Sequence, residues 1–222
     1  MEPIELIQRV DYLIGMCRGR SVLHLGCTDW PYTQQRLEQG NLLHLELQRH
    51  AASICGVDGD QEGLALLTKE GVANLYHGDL ESLDKVPLGC TFDIILAGEV
   101  IEHMSNPGLF LRGVRRFMRQ DSVLVITTVN AYCGFRMFRY AVRGHGGRAE
   151  PVHPDHVAYY SYATLTHLLA REKMAVRQFY FYDLGREHRP HNLRSLNLIN
   201  DICVRIARHL ADGIVAECVL AD

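Results

Sequence analysis

The sequence predicts an α/β protein: a mostly parallel sheet with helices on both faces and an antiparallel last strand. Three observations lead there. Short apolar runs alternate with amphipathic stretches through the first 130 residues, the signature of parallel strands joined by right-handed crossovers. Phe92 to Ala97 is apolar except for Asp93, as a strand covered on both faces must be. The chain ends on a helix, a strand, a polar excursion, a further helix and a final strand, which adds two strands on one side of the sheet.

In order along the chain, Ile4, Ile7, Val10 and Ile14 recur at helical spacing and predict an N-terminal helix over 3–18, ending near Gly15 to Gly19. Val22 to Leu25 is a short strand that stops at Gly26. Pro31 to His50 is helical in composition and broken at Gly40-Asn41. Ser53 to Val57 is the next strand, after which Asp60 is placed to cap a helix carrying Leu64, Leu66 and Leu67. Val72 to Tyr76 is a third strand, and residues 80–91 read as a loop. Asn106-Pro107 opens a helix with a cap and a first-turn proline, burying Leu111, Val114, Phe117 and Met118. Ser122 to Val129 is rich in β-branched residues and reads as a strand. The pattern then breaks over 130–160, where a short helix (Phe135 to Val142) leads into glycines and the run Pro151 to His156. Ser161 caps a helix with Tyr162, Leu165, Leu168 and Leu169 on one face. Val176 to Tyr182 (strand), Leu196 to Ile206 (helix) and Ile214 to Leu220 (strand) complete the chain.

With 222 residues, 47% hydrophobic and 22% charged, the chain is expected to form one globular domain, 1–222. A net charge of -3 gives no global attraction to nucleic acid or to an anionic membrane. The arginines at 112, 115, 116 and 119, and at 136, 139 and 143, fall at helical spacing and read as solvated faces. Seven scattered cysteines without a CxxC pair suit a reducing compartment and argue against disulfides or a zinc knuckle. With no signal-like or membrane-length apolar run, a cytoplasmic protein acting on a small molecule is the expectation.

Ligands of open parallel sheets bind beyond the carboxyl ends of the strands, near the point where strand order reverses. Successive predicted strands here end in Asp58, Asp79 and Glu99, beside the Gly26 turn. A carboxylate after the second strand can accept hydrogen bonds from vicinal ribose hydroxyls, and one after the third from an exocyclic adenine amine.

The series VLHLGCTDW, ICGVDGD, YHGDLESL, FDIILAGEVIEHMSNP and VLVITTVN resembles the class I S-adenosylmethionine-dependent methyltransferases, roughly over residues 20–182. The branch containing the ubiquinone-biosynthesis O-methyltransferases and many small-molecule enzymes is the most similar. The resemblance implies a Rossmann-like seven-stranded sheet and S-adenosyl-L-methionine lying over the first four strand tips. It places Gly26 under the methionine part, Asp58 at the ribose, Asp79 at the adenine and Glu99 near the methyl-transfer site. Cys27, Thr28, Gly59, Leu80 and Gly98 are their neighbours in that site. The chain departs from the family pattern at His24, where an acid is usual, and at Thr28 and Trp30, where glycines are usual. Asp29 is the nearest acid able to compensate for His24.

In some relatives the residues matching Glu99, Glu102 and His103 hold a divalent cation. Here the expectation is that Glu102 and His103 finish a turn and that no metal is bound. An alcohol acceptor must lose a proton, and histidine is the usual base. His153 and His156 flank Pro154-Asp155 in the irregular segment, with His156 the preferred base and Asp155 its orienting group. Tyr132, Tyr159, Tyr160 and Tyr162 are candidates to line an acceptor pocket. His188, Arg189 and His191 either close over substrate or are solvated. The activity expected is methyl transfer to a hydroxyl of a sugar or glycan precursor or a secondary metabolite. A member that binds without catalysis is the competing reading, and a nicotinamide-dependent reductase is disfavoured because GxGxxG is missing.

Overall fold

The computed structural model describes residues 4–147, 154–183 and 194–221. One sheet of eight strands carries the molecule, comprising β1 (Leu6–Ile7), β2 (Ser21–Leu25), β3 (Ser53–Asp58), β4 (Leu75–His77), β5 (Phe92–Gly98), β6 (Met118–Val129), β7 (Met174–Tyr182) and β8 (Gly213–Leu220). Their order is β1-β7-β8-β6-β5-β2-β3-β4. The last strand lies between β6 and β7, antiparallel to both, and every other pairing is parallel. The chain winds outward from β2 to β4, then returns to β5 on the other side of β2, so order reverses between β2 and β5.

The helices are α1 (Arg9–Cys17), α2 (Thr33–Gln39), α3 (Leu43–Gln48), α4 (Gln61–Lys69), α5 (Pro107–Arg115), α6 (Gly134–Arg143), α7 (Tyr162–Arg171) and α8 (Arg194–Ile206). They cover both faces. On one face Leu23, Ile95, Phe110, Leu111 and Leu165 pack together, and on the other Leu13, Val22, Leu47, Ile94 and Leu96 do so. Two caps form as expected: Asn106 Oδ1 accepts from Leu109 N at 3.0 Å, and Ser161 makes a reciprocal capping box with Thr164.

Several expectations need correction. An eighth strand joins the expected seven, because residues 6–7 pair with β7 (Leu6↔Phe181, Ile7↔Tyr182) instead of starting the first helix. A two-residue strand has no period of its own, and only its distant partner defines it. Asp60 occupies the N-cap position of α4 but its side chain makes no cap bond. Residues 80–85 form a 3₁₀ turn, with Asp79 accepting from Glu81 N at 2.8 Å. Phe117 and Met118 are buried, as expected, but lie beyond the end of α5. Tyr162 faces solvent, away from the buried Leu165 and Leu169. Arg136 is not merely solvated, since its Nη2 donates to Asn130 O and Asp212 O, both at 2.9 Å. All seven cysteines are free. Among the described residues no helix is long and apolar enough to cross a membrane.

Candidate active site

The strand tips at the reversal of order are built around Gly26. Its φ of 74° is a conformation open chiefly to glycine, and a Cβ there would lie 2.6 Å from Val100 Cγ2. Its amide donates to Val57 O at 2.9 Å, which ties the turn to β3. The following residues are anchored by Asp58. Its Oδ2 accepts from Thr28 N and Thr28 Oγ1, both at 2.9 Å, and its Oδ1 accepts from Asp60 N at 2.9 Å. Thr28, fully buried, thus replaces a glycine with a hydroxyl that braces the turn. Gly63 lets α4 approach, because a Cβ there would meet Thr28 Cβ at 2.8 Å.

An ionised carboxylate offers about four acceptor positions. Three of those on Asp58 are taken, leaving one on Oδ1 for an incoming hydroxyl. The expectation of two ribose hydroxyls on this one acid is reduced accordingly. An open cleft of ≈ 640 Å³ lies beside it, lined by Trp30, Asp58, Gly59, Asp60, Gln61 and Glu62. Asp79, which is exposed, and Glu99 are not part of that lining.

Beneath the turn, His24 stacks on His44, with the rings 7° from parallel and Nδ1 to Nδ1 at 3.1 Å. Burial holds His24 well below the ordinary imidazole value, with His44 and Arg9 adding to the effect. Burial likewise pushes His44 down to about 4. Both are therefore neutral at pH 7, one donating to the other. Asp29, at φ 60°, is paired with Arg36, whose Nε donates to Asp29 Oδ2 at 3.0 Å.

A second cluster stands over β5 and β6. Glu99, at φ 55°, accepts on Oε1 from Thr127 Oγ1 at 2.9 Å and from Tyr182 OH at 2.5 Å. Arg9, from the start of α1, donates through Nε to Thr127 Oγ1 at 3.1 Å and lies 3.8 Å from Glu99 Oε1. Gly98 leaves room for this guanidinium, since a Cβ there would lie 3.1 Å from Arg9 Nη2. Arg9 and Tyr182 escape sequence reasoning: only β1 pairing with β7 brings either over the tips.

The third group belongs to the irregular segment. Val157 N donates to Glu102 O at 2.8 Å, and His103 Nδ1 lies 3.1 Å from Asp155 O, which folds residues 154–160 against β5. The His156 ring meets His103 edge-on at 4.7 Å, with Tyr159 on its other side at 5.6 Å. Glu102 is fully buried, and neither of its carboxyl oxygens has a hydrogen-bond partner among the described residues. Burial, with Glu99 nearby, pushes its pKa well above the usual carboxylate range. Ligating atoms of Glu102, His103 and His156 lie within 4.8 Å of one another. The predicted base is thus brought to the strand tips. His153, His188, Arg189 and His191 lie outside the described residues.

A protein-family model described as a methyltransferase domain matches residues 39–126. Relatives named ubiquinone biosynthesis O-methyltransferase include one from Azorhizobium caulinodans, 26% identical over 51% of this chain and 42% of its own length. Another, from Bradyrhizobium diazoefficiens, is 29% identical over 57% of this chain and 46% of its own. The chain spans about half the length of the curated relatives it matches. Among solved structures, a SAM-dependent methyltransferase from Archaeoglobus fulgidus is similar at TM-score 0.57 and 18% identity, covering 94% of this chain and 91% of that one. Magnesium protoporphyrin IX methyltransferase from Synechocystis, with bound SAH, is similar at TM-score 0.61 and 13% identity, covering 96% and 83%.

Proposed function

We propose that this chain, which resembles the S-adenosylmethionine-dependent methyltransferases in its fold and in the domain it matches, is an enzyme that transfers a methyl group to a small-molecule hydroxyl. The observation that carries this reading is the meeting of His156 with Glu102 and His103 at the tip of β5, next to the Gly26 turn. The residues present fit the cofactor. Asp58 keeps one acceptor position for a ribose hydroxyl, the Gly26 turn admits close approach of a ligand, and Arg9 offers a cation for a methionine carboxylate. S-adenosyl-L-methionine supplies an electrophilic methyl group on a sulfonium.

What remains for the protein is positioning and proton removal. His156 would accept the proton of the acceptor hydroxyl as that oxygen takes the methyl group, while Asp58, the Gly26 turn and Arg9 would hold the cofactor in place. Burial raises the pKa of Glu102, which disfavours a negative charge beside the developing nucleophile. A glycan precursor or secondary metabolite is our proposed acceptor class, and relatives named as O-methyltransferases support oxygen as the methylated atom.

A second reading has its own observation: the two unpartnered oxygens of Glu102 beside two imidazoles suit a divalent cation. The test is turnover of a panel of phenols, sugars and glycosides with labelled cofactor, with and without EDTA. Labelled product that survives EDTA supports the histidine-base mechanism, and loss that manganese or zinc restores favours the cation. Cofactor binding without any labelled product across the panel would leave the non-catalytic member as the better reading.

A further inference from the structure

Trp30 is the one tryptophan of the chain, and it is 63% exposed. Single apolar residues on a surface are ordinary, but this one is placed by a chain of specific contacts. Thr28 is fastened to Asp58, Asp29 is fastened to Arg36, and Tyr32 N donates to Asp29 O at 2.8 Å to turn the backbone. The residue between these anchors has little freedom in where its Cα sits, and its indole walls the cleft formed with Asp58, Gly59, Asp60, Gln61 and Glu62. One side of that cleft is an aromatic face, and the remainder carries three acids.

That pairing has a defined chemistry. Carboxylates accept from sugar hydroxyls, and an indole face covers a base or a ribose without caring about sequence or hydrogen-bond pattern. Three acids repel phosphates and favour a ligand whose charge is positive. The family pattern, which has glycine at this position, predicts no such wall.

We propose that Trp30 is a contact residue of the cofactor, closing its indole over the adenosyl group and selecting an unphosphorylated nucleoside against phosphorylated ones. This rests on the reading of the cleft as the cofactor site. Because no other tryptophan contributes in this sequence, tryptophan emission from the chain reports on this wall alone.

The experiment titrates wild type, Trp30→Phe and Trp30→Ala with S-adenosylhomocysteine by calorimetry, and wild type also by tryptophan fluorescence. The expected result is saturable quenching of wild-type emission at the calorimetric Kd, with ATP and NADH producing no change. Trp30→Ala should bind about 10-fold more weakly, while Trp30→Phe stays within about 3-fold of wild type. Since the side chain is largely in solvent, the unliganded melting temperatures should agree. Normal calorimetric binding with unmoved emission, and equal affinity in Trp30→Ala, would overturn the inference while leaving the cofactor reading intact. Quenching by ATP would overturn the selectivity. No binding heat with either wild type or Trp30→Phe would overturn the cofactor reading and this inference together.

Discussion

The two sides of the site treat their acids in opposite ways. The Asp58 carboxylate is held before a ligand arrives: three hydrogen bonds fix it and, through it, the Gly26 turn. Over β5, Glu102 is buried with neither oxygen bonded among the described residues. A satisfied acid makes a rigid seat, whereas an orphaned one stores a cost that a substrate, an ion or a proton can relieve. The Asp58 side is thus preorganised, and the Glu102 side keeps a buried carboxyl whose hydrogen-bonding capacity is unused among the described residues.

The largest expected effect tests the acceptor side. His156→Ala should lower kcat by roughly 10²–10⁴-fold with cofactor affinity unchanged. Single-turnover rates against pH make the assignment specific, because loss of a base also removes the acidic limb of the profile. Unchanged turnover would reduce this imidazole to packing against His103.

The His24–His44 pair tests how firmly the seat is founded. Burial holds the folded pKa of His44 at about 4, below the 6.5 of an unconstrained imidazole. The unfolded chain therefore binds more protons below pH 6.5. Stability from this pair is complete above that pH and is lost as pH falls toward 4, at about 1.4 kcal/mol per pH unit for each such group. Urea midpoints between pH 7 and 4.5 should show this slope, and His44→Gln should flatten it. Arg9 is the charged group whose approach to His24 adds to the effect.

Asp58→Ala should weaken S-adenosylhomocysteine binding by about 1.5–3 kcal/mol. It should also lower the melting temperature, since the Thr28 anchors go with the carboxylate. A stability loss with affinity intact would make Asp58 a brace and nothing more.

The last test concerns Glu102. With its folded pKa raised, its contribution to stability is present below about 4.5, where the unfolded carboxyl titrates, and is lost as pH rises toward the folded value. In EDTA, Glu102→Gln should match wild type near pH 4.5 and exceed it at pH 8, by about 1.4 kcal/mol per unit of the interval. Equal stability at both values would mean the carboxyl is satisfied, and the contrast between the two sides would disappear.

Much of this arrangement was legible in the residues. Apolar runs long enough to be covered on both faces declare themselves as β2, β3, β5 and β6, and the acids after them follow from where a parallel sheet ends. Asn106 and Ser161 are read from local chemistry alone. The parts that escaped depend on distant partners. Thr28 looked like a lost glycine because its contact with Asp58 spans 30 positions. His24 looked like a missing acid because His44, on another element, is what makes a buried imidazole tolerable there. Arg9 is an ordinary helical arginine until β1 meets β7.

That last pairing also joins distant parts of the chain. Leu6 and Ile7 find their partners at Phe181 and Tyr182, and Tyr12 donates to Glu217, while Leu13 of the same helix packs on Val22, Leu47, Ile94 and Leu96. The guanidinium above Gly98 and the phenol beside Glu99 therefore come from segments far apart in sequence. The glycine turn needs only its neighbouring strands, whereas this cationic cover exists only where residues 6–9 meet residues 181–182.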